Sequence, residues 1–299
     1  MPLGALALDA DGHTIVCAAI SRTNASGTRR LSRRLGQERV LVKPDLGELT
    51  DEVRALRPDL VVSWFWTKHI PPAIIATARL GAFNVHPSLL PRHRGADPIF
   101  WAIDSGDDVT GATAHRLDDR YDAGSIYAQR EIRIDPSWNA WTLALRLDRL
   151  SLRVLRDMVS CFARGEVPTP TPQDETRATH APAPSDDDLV VQWSDGADRI
   201  ARRVRAASPW PGMLTEIAEH PILITRAEAT DDVPRALRPA EAAIVNGCVV
   251  VRTGDRGLRL IAARDAETDA ELGASDLASL ITLALAPSPP STWRGKSGG

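Results

Sequence analysis

Asp59-Leu60-Val61-Val62-Ser63-Trp64 and Ala82-Phe83-Asn84-Val85-His86-Pro87, with Pro71-Pro72 between them, decide the fold. The first stretch is almost wholly apolar, as a strand buried on both faces should be. Pro71-Pro72 opens a helix expected over 73–80, because proline is tolerated in a first turn. The second stretch predicts another strand, stopped by Pro87. Strand, helix and strand in this order predict an α/β unit with a mostly parallel sheet.

The same alternation continues outward. Upstream, Thr14 to Ile20 reads as a buried strand and Arg39 to Val42 as a short one, and Leu49, Val53 and Leu56 share a helix face. Downstream, a helix is expected from Ala96 to Ser105. Two strands, Gly111 to Leu117 and Ser125 to Ile132, then flank a loop. A long helix follows from Asn139 to Arg164, with Trp141, Leu145, Leu152, Leu155, Val159 and Phe162 as its apolar side and Gly165 as its stop. At Val167 the composition changes. Five prolines between Pro168 and Pro184 predict an extended linker laid on the first domain. A helix from Asp198 to Ala207 leads into short strands at Met213–Ile217, Ile222–Ala229, Ala243–Val245, Val249–Thr253 and Leu258–Ala262, the pattern of a small β-barrel. The expected domains are therefore 1–166, a linker over 167–192, a barrel over 193–285 and a disordered tail over 286–299.

Composition narrows the function classes. In 299 residues, 43% are hydrophobic and 25% charged, which suits a globular chain of two domains. No apolar run approaches the roughly 20 residues of a membrane span, so no membrane partner is expected. Cys17, Cys161 and Cys248 are odd in number and far apart, which argues against a disulfide framework or a cysteine-rich metal site and fits a reducing cytoplasm. Neither a dinucleotide fingerprint nor a P-loop is present, and no metal is expected. The net charge of −3 lacks the basic excess of a chain devoted to nucleic acid.

The chemistry gathers between residues 83 and 129. Asn84 and His86 are two apart on a strand and so face the same side. They sit at its C-terminal end, where α/β sheets place their ligand crevices. An amide and an imidazole there can both donate to one oxygen, the equipment for stabilising charge on a carbonyl. Asp122 follows in a loop with Ala123 and Gly124, free to orient the imidazole and take a proton. With no activated serine or cysteine in view, the nucleophile must come from the substrate. His115 is either a second site residue or a satisfied strand histidine. Trp64, Phe65 and Trp66 form a wall or pack in the core.

Asn84-Val85-His86-Pro87-Ser88-Leu89-Leu90-Pro91, with Arg94-Gly95 and Asp122-Ala123-Gly124, resembles the signature of the formyltransferases that use 10-formyltetrahydrofolate. Gln173-Asp174-Glu175 and Ala178 to Pro182 resemble the family's linker. Arg205 to Gly212 and Thr253 to Leu260 resemble the barrel of its methionyl-tRNA members. The resemblance spans residues 5 to 283. It implies a Rossmann-like domain followed by an OB-like barrel, with Asn84, His86 and Asp122 catalytic. Ser88, Leu89, Leu90, Pro91, Phe65, Trp66 and Tyr121 would contact the folate.

Two acceptors fit the resemblance: a small-molecule amine, such as an amino sugar nucleotide, or the methionine amine of initiator tRNA. Arg29-Arg30 and Arg33-Arg34 favour tRNA. From Asp186 onward, however, 13 basic residues face 17 acidic ones, a balance of −4 that is wrong for gripping phosphates. Thr113 to Arg116 and Asp122 to Ile126 also look closer to the formyltransferase acting on UDP-4-amino-4-deoxy-arabinose. The small amine is therefore expected, with an inactive folate-binding relative as a third reading. Finally, the resemblance implies a first, central strand before Gly12-His13. That strand is missing here, so upstream residues or a partner are expected to supply it.

Overall fold

The computed structural model describes residues 2–21, 25–42, 44–66 and 68–285. The chain divides into two compact units, Met1–Pro184 and Ser185–Gly299.

The first unit opens with helix α1 (Pro2–Ala10), strand β1 (Ala18–Ile20), α2 (Thr28–Leu35), β2 (Val40–Val42) and α3 (Thr50–Ala55). It continues with β3 (Leu60–Trp64), α4 (Pro72–Ile75), β4 (Gly81–His86), α5 (Pro98–Asp104), β5 (Val109–Arg116), β6 (Ile126–Arg133) and α6 (Ala140–Arg164). β1 and β2 pair in parallel as a sheet of their own, and β3-β4-β5-β6 form a second one. β3 and β4 are parallel, whereas β5 and β6 enter antiparallel. The sheet is thus parallel where helices cross over, and turns antiparallel at the hairpin that carries the Asp122 loop. Among the described residues no strand precedes β1. The strand expected from Thr14 shrinks to three residues, because its ladder is limited to Val40–Val42.

Strand alternation sorts β4 into two faces. Phe83 and Val85 turn into the core with Ala112, Ala114, Leu155, Met158 and Phe162. The rings of Phe83 and Phe162 stack with centroids 5.5 Å apart. Asn84 and His86 take the other face. α6, which supplies the core's covering layer, begins where the Asn139 side chain accepts from Thr142 N–H and ends at Gly165 in a left-handed turn, φ 71°. α1 spans both sheets: Leu8 joins the main core, while Ala5 and Leu6 pack against Ile20, Leu31 and Val40.

Residues 165–184 belong to this first unit as a strap. Ile126 and Thr171 exchange backbone bonds at 2.8 Å, and Arg94 bonds Thr179 and Ala181 at 2.9 and 2.7 Å. The linker expected over 167–192 is therefore split by the unit boundary, since Val191 N–H bonds Leu214 O in the second unit.

The second unit holds α7 (Ala197–Ala206), β7 (Met213–Ile217), β8 (His220–Thr230), β9 (Ala242–Val245), β10 (Cys248–Arg252), β11 (Gly257–Asp265), β12 (Glu271–Gly273) and α8 (Ala274–Leu285). Its strands run in the order β7-β8-β11-β10-β9, all antiparallel, with β12 beside β11. Ile222, Ile224, Val249, Val250, Val251, Leu258 and Leu260 are fully buried. β12 and α8 were not expected from the sequence. The tail expected to be disordered, 286–299, lies outside the described residues.

Candidate active site

The antiparallel register of β4 and β5 sets Asn84 opposite His115 and His86 opposite Thr113. Asp122 closes the group from the β5–β6 loop. Its backbone is left-handed, φ 49°, a conformation that costs a non-glycine residue about 1–3 kcal/mol. Gly124, two residues on, permits this turn: a Cβ there would collide with the Arg116 carbonyl.

Four side chains meet. Asn84 Nδ2 lies 3.1 Å from His115 Nε2 and 3.3 Å from Asp122 Oδ1. His86 Nδ1 lies 3.4 Å from Asp122 Oδ2, and His115 Nε2 3.3 Å from Asp122 Oδ1. Gly95 N–H donates to Asp122 Oδ2 at 3.0 Å. Asn84, His86 and His115 are all buried.

Hydrogen bonding fixes where protons can move. His86 Nε2 donates to the His93 carbonyl at 2.8 Å, so its Nε2–H is committed. The exchangeable nitrogen, Nδ1, is the one facing Asp122. His115 Nδ1 donates to Arg116 O at 3.0 Å, which leaves Nε2 to accept from Asn84. Burial pushes His86 below the ordinary histidine range, against the pull of Asp122. Burial would raise Asp122, but the neighbouring His86 and His115 and the Gly95 N–H bring it down to about 2. The pair at neutral pH is thus a carboxylate beside an imidazole ready to share a proton.

These groups line a cavity of about 320 Å3, whose wall also includes Phe65, Trp66, Tyr121, Lys68 and Arg120. Trp66 Nε1 and Asn84 Oδ1 are buried and have no hydrogen-bond partner among the described residues. A cavity with aromatic walls, one unmet donor and one unmet acceptor suits a flat heterocycle with polar edges.

Of the residues expected at the site, Asn84, His86 and Asp122 come together, and Phe65, Trp66 and Tyr121 stand on the cavity wall. Ser88, Leu89, Leu90 and Pro91 do not line it. The Ser88 hydroxyl donates to Arg92 O, Ser88 O accepts from Thr113, and Leu90 N–H donates to the Thr113 hydroxyl. Leu89 packs beside Gly111. This segment is spent on shaping the turn behind the wall. Sequence reasoning missed the His93 carbonyl and the Gly95 N–H as contacts of the pair, because both act through the backbone. The sequence allows His115 to be a site residue or a satisfied strand histidine, and the β4–β5 register sets it within the group.

The α/β unit thus gathers an amide, an imidazole and a carboxylate at a strand end, equipment suited to chemistry at a carbonyl carbon, and an antiparallel β unit follows it. The Formyl transferase family model matches residues 21–159, and the Formyl transferase, C-terminal domain model matches residues 185–279. The chain belongs to the formyl transferase family, folate-dependent one-carbon transferases whose donor is a formyltetrahydrofolate.

It is similar to the methionyl-tRNA formyltransferase of Sorangium cellulosum, 34% identical over 216 residues, covering 72% of this chain and 69% of that one. It is also similar to the enzyme of the same name from Roseiflexus, 35% identical over 215 residues, covering 72% and 66%. The fold resembles HypX from Aquifex aeolicus in complex with tetrahydrofolic acid: TM-score 0.63, 21% identity, covering 88% of this chain and 46% of that one. It likewise resembles an N-formyltransferase from Helicobacter canadensis bound to folinic acid and dTDP-3-aminofucose: TM-score 0.58, 13% identity, covering 83% and 99%. No helix among the described residues is long and apolar enough to cross a membrane, and no cluster of side chains there could hold a metal ion.

Proposed function

We propose that the chain moves a formyl group from 10-formyltetrahydrofolate to the amine of a small molecule, in the cytoplasm. The observation that carries the reading is the Asn84–His86–Asp122 group, with a proton-sharing contact between His86 Nδ1 and an Asp122 held at about 2. The donor supplies an electrophilic formyl carbon bound to nitrogen. The acceptor amine attacks it as a neutral nucleophile. Asp122, ionised and adjacent to His86, takes the proton the amine sheds and passes one to the leaving nitrogen. Asn84, once its amide turns from His115 and Asp122 toward the substrate, and His86, once protonated at Nδ1, stabilise the negative charge that develops on the formyl oxygen, and burial strengthens that interaction. Asn84 Oδ1, without a partner among the described residues, is available to the amine N–H.

The small acceptor is favoured by the second unit's surplus of acidic residues, 17 against 13 basic from Asp186 onward. Initiator tRNA is the second reading. It is supported by the names of the curated relatives and by Arg29, Arg30, Arg33 and Arg34, which are clustered on α2. Tetrahydrofolate release against a panel of amines separates these readings. Turnover with a small amine supports the first, and turnover with charged tRNA alone supports the second. An inactive folate binder would release nothing with either. Removing an oxyanion donor typically costs about 2.7–4 kcal/mol, so Asn84→Ala should lower kcat by about 10²–10³.

A further inference from the structure

The strap at residues 165–184 reaches the catalytic loop through one side chain. Gln173 Nε2 donates to the carbonyls of Asp122 and Gly124, both at 2.8 Å. Its Oε1 accepts from Arg94 Nε at 3.0 Å and from Arg94 Nη2 at 2.7 Å. Both donors and both acceptor positions of the amide are thereby filled. Arg94 is buried, and its Nη1 and Nη2 also donate to Glu175. The residue after it, Gly95, gives the N–H that holds the Asp122 carboxylate.

One side chain therefore ties together the two segments that grip Asp122: the loop after β4, and the left-handed turn that bears the carboxylate. We infer that Gln173 is a positioning residue for the proton transfer. It acts by holding the backbone of the strained Asp122–Gly124 turn against Arg94-Gly95. The inference rests on the proposed formyl transfer for its kinetic readout and on geometry alone for its spectroscopic one.

The groups facing Asp122 define what a loosened turn would change. These are His86 on β4, His115 on β5 and the Gly95 N–H, with Asp118 and Arg120 on its own loop. If the turn relaxes, the carboxylate loses the Gly95 N–H and moves away from His86. Asp122 then becomes a weaker acid, and the His86 imidazolium loses its counter-charge.

The test uses the full chain with Gln173→Glu, which keeps an acceptor for Arg94 but sets a carboxylate against the two carbonyls. Gln173→Met, which removes both roles at similar volume, serves if the first variant fails to fold. Expected is a ten- to hundredfold fall in kcat with KM for the folate donor within threefold, and an acid limb of kcat moved to higher pH. In the resting protein, the His86 resonance in histidine-labelled spectra should titrate at lower pH than in wild type. Unchanged kcat and an unchanged His86 titration, with at most a lower Tm, would overturn the inference and leave Gln173 a stitch in the strap. If wild type transfers no formyl group to any amine, the functional reading fails. The His86 titration still decides the role of Gln173.

Discussion

Asp122 and His86 divide the proton work between them. Because His86 Nε2 is committed to the His93 carbonyl, a proton can enter the pair at Nδ1 or at the carboxylate and nowhere else. Asp122→Asn removes the acceptor while preserving shape, and kcat should fall by about 10²–10⁴, the usual contribution of a general acid–base group. His93 is itself anchored. Its Nε2 meets Asp107 Oδ2 at 2.8 Å, and Arg92 grips the same carboxylate at 2.5 and 2.8 Å. Burial would raise Asp107, but His93 and Arg92 bring it to about 2. A carboxylate depressed in the folded state stabilises above its unfolded pKa and loses that contribution as pH falls through the folded value. Asp107 and Asp122 should therefore make stability fall between about pH 4 and pH 2. Urea midpoints measured across this window check the point: Asp107→Asn should flatten the decline. An equal slope in the variant would remove Asp107 from the account.

At the scale of elements, α6 carries the sheet. Leu143, Leu147, Val154 and Leu155 are almost wholly buried along it. Leu147→Ala should cost about 2–5 kcal/mol and Asn139→Ala about 1 kcal/mol, both read by denaturant unfolding. The span of this helix was legible because its end signals are local, a capping asparagine and a terminal glycine; its first turns were not, since Trp141 and Leu145, expected on the apolar side, are exposed and Leu143 and Leu147 are buried instead. The pair Asn84 and His86 was legible for the same reason, since alternation fixes which strand residues share a face. Other parts were not. The helix expected over 73–80 covers only Pro72–Ile75; Arg79 and Leu80 N–H instead bond Pro58 and Asp59 carbonyls. β12 is three residues long and exists only through its pairing with β11. α8 buries Leu277 and Ile281, an i, i+4 pair after Ser275-Asp276 that pattern reading could have found. In the site, His115 beside Asn84 follows from antiparallel register, and Gln173 reaches Asp122 from 51 positions away. Contacts made through carbonyls leave no mark on residue type.

At the scale of the molecule, charge separates the two acceptor readings. Nucleic-acid affinity falls steeply with salt in proportion to the phosphates neutralised. The second unit's acidic balance gives little for tRNA to bind, so a salt titration at low ionic strength should show no specific retention of initiator tRNA. Tight binding that weakens steeply with salt would favour the tRNA reading. Release of tetrahydrofolate from 10-formyltetrahydrofolate, followed with a panel of small amines for wild type and Asp122→Asn side by side, tests the central claim most directly. Turnover by wild type with at least one small amine, reduced a hundredfold or more in the variant, is the expected result. Equal turnover by both proteins, or wild-type turnover with charged initiator tRNA alone, would contradict it.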